Sequence, residues 1–346
     1  MKKSLTRQSN IELLRIIAML MVITLHVCNA FGSWMVPRIT AHPFHWLGII
    51  FTNTACIGCV DIFVLITGWF GTNFKFNGAL KLVFQVIFTA SCMFLLLWAM
   101  GYQLPNNWHY YVQAYWSYWF ACSYLVLYLL TPALNAFIQQ TDERGLRVFL
   151  LTFYAFVVPL SYFFNDIGRG FSAVSFVGLY LLGRYLRLYL SPRLGEKYSK
   201  WKLASIWIGI SVLICATLWT CTLTSQTATT ILVNILIAYT NPLVIIASSA
   251  LLLCFARMKF QSYVVNWLAL GSFAAYLVHQ QLYVRPHFFH WFTDLDARFD
   301  TLAYMALALL SILAVYLFSC LLDTLRRTAW KGLVCLFHRK SARSAA

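Results

Sequence analysis

Apolar runs of about 20 residues recur along the whole chain, separated by short polar segments. Each run is long enough to cross the roughly 30 Å hydrocarbon core of a bilayer as an α-helix. The pattern predicts an all-α, polytopic membrane protein with about ten transmembrane helices, in which residues 1–346 form one integral-membrane domain. The predicted spans are residues 11–31, 46–70, 79–101, 118–138, 147–164, 173–190, 203–223, 229–256, 264–284 and 303–324.

Two of these runs contain residues that refine the prediction. Glu12 and Arg15 interrupt the first run, which is also longer than the apolar region of a signal peptide, so we expect an uncleaved first helix. The eighth run carries Asn241-Pro242 near its middle. Because proline has no backbone N–H, a kink is predicted there.

Composition agrees with a membrane domain. The chain is 61% hydrophobic and only 10% charged, whereas soluble domains have about 25% charged residues. The ten cysteines lie mostly within predicted spans, where cysteine acts as a small hydrophobe. Cys56 and Cys59 have C-x-x-C spacing, but no strand–helix pattern of a redox protein surrounds them. We therefore interpret them as packing residues.

The net charge of +16 follows the predicted topology. With the N-terminus inside, 21 of the 26 Lys and Arg residues fall on the inner side, and Arg15 falls within a span. This positive-inside asymmetry predicts that both termini are cytoplasmic. It also explains the basic excess as topology and attraction to lipid, so no nucleic-acid partner is expected. The four cations on the outer side are Arg38, Arg169, Arg285 and Arg298.

Arg15 and His26 place two ionisable groups inside the first apolar run. An arginine costs about 2.5–3.5 kcal/mol at the centre of a membrane helix, so such residues persist mainly where they function. Eleven helical steps return to within about 20° of the same face and rise about 16 Å. Arg15 alone is also compatible with snorkelling, and His26 alone with a hydrogen bond between helices. Their shared stripe favours a functional site.

Asp61 is the only acid well inside a predicted span, apart from two acids near span ends. Either it pairs with His26 or Arg15 at a functional site, or it forms a structural ion pair or a hydrogen bond between helices. The following pair, Thr67-Gly68, allows close helix approach or exposes backbone to a ligand.

His279 and Gln280 lie near the outer end of the ninth predicted span. Either they line an outer vestibule on the acceptor side, or they are solvated at the membrane interface. A group of aromatic residues near the start of the fourth span is explained by an aromatic belt, with sugar stacking as a secondary role. These residues are Trp108, Tyr110, Tyr115, Trp116, Tyr118 and Trp119.

Several common catalytic motifs are missing from the sequence. It contains no P-loop, no H-E-x-x-H, no dinucleotide fingerprint and no G-x-S-x-G elbow. Carboxylates are too few for a two-metal site, and no metal is expected. If the protein is an enzyme, imidazole is the best available base.

Four stretches, in order along the chain, resemble the membrane acyltransferase family 3, which includes O-acetyltransferases of bacterial surface polysaccharides. The Arg15-x10-His26 spacing resembles its first-helix signature, and VDIFVLITGWF its second-helix motif, with Thr67 where serine is usual. WFACSYLVLYLLTPALN resembles its fourth helix, including Asn135, and LALGSFAAYLVHQ its late S-x-x-x-Y-L-x-H stretch.

This resemblance implies ten helices in a bacterial inner membrane, acetyl-CoA or another acyl-CoA as cytoplasmic donor, and an extracytoplasmic acceptor hydroxyl. The acceptor would belong to a surface glycan or a lipid-linked saccharide. Members often carry Arg-x-x-Arg after the second helix, thought to hold the CoA phosphates, whereas this chain has only Lys75 and Lys81 there. Lysines bind phosphate as point charges, without bidentate geometry.

These expectations combine into a mechanistic hypothesis. Arg15 positions the donor, His26 acts as general base for the acceptor hydroxyl, and Asp61 orients the imidazole. Lys75, Lys81, Thr67 and Gly68 would line the donor site. The alternative function is a transporter or flippase for a glycan or lipid-linked substrate, which intramembrane charges and a kinked helix would also serve. Consumption of the thioester distinguishes the two.

Overall fold

The computed structural model describes residues 7–31, 43–103, 108–163, 168–195 and 197–344. All regular elements in these ranges are helical, which confirms the all-α prediction. The helices of eight or more residues are α1 (Ser9–Ala30), α2 (Pro43–Cys56), α3 (Cys59–Phe70), α4 (Phe76–Ala99), α5 (Trp108–Trp116), α6 (Trp119–Gln140), α7 (Glu143–Phe163), α8 (Ala173–Tyr185), α9 (Lys200–Thr224), α10 (Gln226–Leu236), α11 (Pro242–Ala256), α12 (Tyr263–Leu270), α13 (Ser272–His279), α14 (Val284–Arg298) and α15 (Thr301–Ser344).

Within the described residues, seven helical segments are long and apolar enough to cross a membrane, so this is a multi-pass membrane protein. Three shorter apolar segments, α10, α11 and the α12–α13 pair, fall in the predicted eighth and ninth spans. Ten spans and two cytoplasmic termini stay predictions. The seven segments are Ser9–Ala30, Pro43–Phe70, Phe76–Ala99, Trp119–Gln140, Glu143–Phe163, Lys200–Thr224 and Thr301–Cys335.

Two predicted spans are divided by local polar contacts. The second span divides between α2 and α3, where the Ser248 hydroxyl donates to the Gly58 carbonyl at 3.2 Å. The eighth span is broken between α10 and α11 rather than merely kinked. Pro242 has no N–H to bond to the preceding turn, and the Asn241 side chain caps α11 by accepting from the Leu243 amide at 2.8 Å.

The structure also differs from the predicted spans by a third division, two additional helices and two extended helix ends. The ninth span divides at Gly271, where an added Cβ would lie only 2.7 Å from the Cα of Cys320 on α15. Helices α5 and α14 lie outside the predicted spans, and α15 continues well past residue 324. The sixth span continues beyond α8 through a π-helical turn, Leu186–Leu190.

Helix α1 lies at the centre of the bundle. It contacts α2, α3 and each of the helices from α11 to α15. Most of α1 and of the α2–α3 segment is buried, whereas α4, α6, α7, α9 and α15 leave most of their apolar length exposed, as lipid-facing helices do. The ionisable residues of α1 are therefore surrounded by protein rather than by hydrocarbon, which is the arrangement their cost requires.

The backbones of helices α3 and α8 are in close contact. A Cβ on Gly68 would lie 2.2 Å from the Tyr180 carbonyl oxygen, and one on Gly183 would lie 2.4 Å from that of Leu65. Small residues permit this approach between membrane helices. Of the two alternatives for Gly68, the structure therefore shows close helix packing.

We expect Gly68→Ala to destabilise the protein, because its Cβ meets backbone that cannot rotate away. Overpacking of this kind costs about 1–3 kcal/mol. Gly48→Ala is the matched control, since a Cβ at that helical glycine meets nothing within 4 Å. Thermal unfolding of both purified variants in detergent measures the difference. Equal melting temperatures for the two variants would contradict the packing role.

Candidate active site

A cavity of about 380 Å³ lies beside α1. The α1 side chains on its wall follow helical spacing, and the stripe from Arg15 to Asn29 extends about 21 Å along the axis. Arg7, just before the helix, lengthens the lining at the N-terminal end. Arg15 and His26 therefore share one cavity, as their spacing predicts. The main stripe consists of Arg15, Met19, Val22, His26 and Asn29.

The other walls come from α3, α4, α6, α12 and α13, together with two residues outside the helices. Each divided span borders this cavity, since Cys59, Tyr239 and Ser272 lie beside the three breaks. Irregular backbone at membrane depth is tolerated where it lines a cavity or is buried in protein. These further lining residues are Cys59, Val60, Phe63, Thr67, Leu82, Gln85, Trp119, Phe120, Tyr124, Phe171, Tyr239, Ala269, Leu270, Ser272, Phe273 and Tyr276.

The N-terminal end of the cavity is positively charged. Arg15 Nη1 lies 2.6 Å from Glu12 Oε2, and Arg7 Nη1 lies 3.6 Å from the same oxygen. Glu12 is buried, and it holds both guanidinium groups beside the cavity. Two cations with one carboxylate leave a net positive charge, which attracts an anionic ligand.

The two lysines expected at the donor site lie elsewhere. Lys75 and Lys81 are both exposed, and neither lines the cavity. Lys81 is one helical turn before Gln85, which does line the cavity, so Lys81 lies beside the cavity rather than within it. Part of the neighbouring basic segment is structural, because Arg187 donates to the Trp69 carbonyl at 2.9 Å.

Thr67 lines the cavity, whereas Gly68 does not. The Thr67 hydroxyl donates to the Phe63 carbonyl at 3.0 Å and lies 3.3 Å from the Tyr124 hydroxyl. Tyr124, which the sequence did not single out, thereby adds a second hydroxyl to the same wall. Tyr124 lies five positions after Trp119 on α6. Because this stretch is rich in aromatic residues, the sequence does not distinguish Tyr124 from its neighbours.

His26 forms a hydrogen bond with His279. Nδ1 of His26 lies 3.0 Å from Nε2 of His279, and Nδ1 of His279 lies 2.5 Å from the Ala275 carbonyl oxygen. A carbonyl oxygen only accepts, so Nδ1 of neutral His279 carries its proton and Nε2 is the acceptor. His26 then donates from Nδ1, which leaves its Nε2 unprotonated and available as a base.

The two histidines occupy different environments. His26 is half-buried and lines the cavity, while His279 is only 1% exposed and lies behind it. The expected alternatives for His279, an open vestibule or a solvated interface, are both wrong because α13 is enclosed by α1, α14 and α15. Gln280 does not line the cavity either, and its Nε2 is buried without a hydrogen-bond partner in the described chain.

Asp61 does not take the position expected for it. It is completely buried, does not line the cavity, and its carboxylate oxygens have no hydrogen-bond partner among the described residues. The predicted pairing with His26 or Arg15 is wrong, because His279 and Glu12 occupy those places. The Tyr154 and Tyr239 side chains interact electrostatically with Asp61.

Aromatic residues form part of the wall in the same cavity. Phe171 lies 4.6 Å from Trp119 and 5.0 Å from Tyr239 between ring centroids, and Trp119 stacks on Tyr239 at 6.1 Å. Trp119 was expected in an aromatic belt, whereas Phe171 and Tyr239 come from segments between predicted spans or within a break. Large aromatic faces of this kind are typical of ligand pockets.

Arg285 is a further residue that the sequence assigned only to topology. It is exposed near the start of α14 and acts electrostatically on His26. Within the described residues it has no ion-pair partner, whereas Arg298 on the same helix is held by Asp294 at 2.9 Å. Its position six residues after His279 was the available signal.

Comparison with known proteins gives one match. The family model Acyl_transf_3, described as an acyltransferase domain, matches residues 8–323 and so includes Arg15, His26 and His279. Neither the curated proteins nor the solved structures contain a match to the chain.

Proposed function

Because the chain belongs to the membrane acyltransferase family 3, we propose that it moves an acetyl or other acyl group from cytoplasmic acyl-CoA to a hydroxyl of an extracytoplasmic glycan or lipid-linked saccharide. The observation that carries the proposal is the single cavity lined by both Arg15 and His26. A thioester and an alcohol must meet at one base, and a shared cavity lets them approach from opposite ends.

The donor approaches from the end with Arg7 and Arg15. CoA carries several phosphates, and the net positive charge around Glu12 favours their binding there. The positive-inside prediction assigns this end to the cytoplasm. Arg15 provides a fork of N–H donors suited to phosphate oxygens, which compensates for the missing Arg-x-x-Arg motif.

The acceptor approaches from the end near Asn29. The stacked faces of Trp119 and Tyr239, with Phe171 against both, support the binding of a sugar ring through its apolar C–H face. Arg285 contributes positive charge near His26, which favours the oxyanion that develops during acyl transfer.

The reaction follows from the tautomer of His26. Its Nε2 takes the proton of the acceptor hydroxyl as that oxygen attacks the thioester carbonyl carbon. The tetrahedral intermediate then collapses with cleavage of the carbon–sulfur bond. The departing thiolate receives the proton from His26, so the products are an O-acyl ester and free CoA. His279 keeps the His26 ring oriented and accepts from its Nδ1 throughout.

We expect His26→Ala to lower transfer by about 10²–10⁴-fold, the usual contribution of a general base. Proteoliposomes loaded with radiolabelled acetyl-CoA and given cell-surface glycan outside would report labelled glycan and released CoA. His290→Ala is the control, because His290 is exposed on α14 and does not line the cavity.

Near-normal transfer by well-folded His26→Ala protein would refute the base assignment. Movement of a labelled saccharide across the vesicle without release of CoA would instead support the transporter. Label retained on the protein would indicate an acyl-histidine intermediate rather than direct transfer.

We expect His279→Leu to lower kcat about 10- to 100-fold, by analogy with the loss of groups that orient metal-binding histidines. The leucine cannot accept from His26 Nδ1, whereas the amide oxygen of His279→Gln reaches a similar position and should restore part of the rate. The KM for acyl-CoA should stay constant in both, since His279 does not line the cavity. Equal kcat values for the Leu and Gln variants would show that only volume matters at this position.

We expect Arg15→Gln to raise the KM for acetyl-CoA about tenfold, in line with about 1.5–3 kcal/mol for a hydrogen bond to a charged group. S-acetylpantetheine, which lacks the nucleotide phosphates, should show no such loss. Arg144→Gln is the matched control, because Arg144 is an exposed cation that does not line the cavity. An equal loss with both donors would place Arg15 at the thioester instead of the phosphates.

A further inference from the structure

A second cavity, of about 560 Å³, lies between α7, α8, α9 and α11. It shares no lining residue with the first cavity. Leucine, isoleucine, valine, alanine and proline dominate its wall, so it has little to offer a polar substrate. A cavity with these walls in a membrane protein suits a hydrocarbon chain.

The charge on the described wall of this cavity lies at one end. Arg147 lines it near the start of α7, and Tyr198 and Leu194 line it from the segment before α9. Arg147 is exposed and has no carboxylate partner in the described chain, since Glu143, one turn before it, is held by Arg193. This end of the cavity therefore carries a positive charge that no carboxylate in the described part of the chain neutralises.

The depth of the cavity corresponds to one leaflet. From Arg147 to Val158 on α7, and from Leu253 to Pro242 on α11, the lining extends over eleven helical steps. Eleven helical steps rise about 16 Å, close to half of the roughly 30 Å hydrocarbon core. The positive-inside rule predicts that the charged end lies at the inner membrane surface, and the cavity would then reach the bilayer centre.

The cavity is also open to the side. Leu151 and Ile246 line it and are 67% and 51% exposed, so its wall is continuous with the lipid-facing surface. The π-helical turn that follows α8 contributes Leu186 and Leu190 to the opposite wall. Such turns are rare and occur frequently at functional sites, which supports a bound molecule here.

We propose that this second cavity binds an anionic phospholipid of the cytoplasmic leaflet, with an acyl chain inside the cavity and the phosphate at Arg147. The charge at the rim selects the headgroup, because anionic lipids attract basic residues near the membrane surface. Because the cavity is only as deep as one leaflet, it fits an ordinary acyl chain better than the longer tail of a polyprenyl phosphate. The site is independent of acyl transfer, so its test does not depend on the proposed function.

The test is native mass spectrometry of the purified protein with equal amounts of phosphatidylglycerol and phosphatidylcholine. We expect the protein to retain phosphatidylglycerol over phosphatidylcholine by about fivefold, the ratio that about 1 kcal/mol per basic residue gives. Arg147→Gln should remove this preference. Arg144→Gln, the matched control on the same helix, should keep it, because Arg144 does not line the cavity.

A second variant tests the apolar part of the cavity. Ser249→Phe places a ring among the lining residues and should reduce retention of both lipids, whereas Ser205→Phe, outside the lining, should not. If Ser249→Phe fails to fold, Arg147→Gln at an exposed position still decides the question. An unchanged preference in Arg147→Gln, or equal retention of the two lipids by the unaltered protein, would overturn the proposal. Displacement of phosphatidylglycerol by added polyprenyl phosphate would overturn the choice of lipid.

Discussion

Hydrocarbon solvates neither charges nor unpaired backbone groups, and this constraint determines how the fold is arranged around α1. The helix with the key ionisable residues is enclosed by other helices, while the outer helices present apolar side chains. The three divided spans satisfy the same constraint. Each break borders the first cavity or has a backbone group that forms a hydrogen bond with a side chain. Central placement of α1 thus makes a polar site possible inside the membrane.

Local patterns in the sequence predict much of this arrangement. The long apolar runs give the helices, and the eleven-residue spacing of Arg15 and His26 gives their shared face, because both follow from helix periodicity. The Asn241-Pro242 pair correctly marks an irregularity, although the helix stops there completely. Glu12 lies three positions before Arg15. Because residues at i and i+3 are neighbours on a helix, their ion pair was predictable from the sequence.

The partner of His26 could not be predicted in this way. His279 lies 253 positions later, and helix periodicity does not say which of the later helices packs against α1. Asp61 was an obvious candidate partner because it is a rare intramembrane acid, but it is fully buried outside the cavity that His26 lines. For Lys75 and Lys81, sequence position near the predicted donor site did not fix whether their side chains enter the cavity.

Glu12 also has a consequence for permeability. If, as proposed, a donor enters this cavity from one side of the membrane and an alcohol from the other, the cavity could also leak small ions. The net positive charge that Arg7 and Arg15 retain after pairing with Glu12 repels sodium and potassium ions and hydronium electrostatically. The guanidinium groups proposed to bind an anionic donor would therefore also oppose the passage of cations through the cavity.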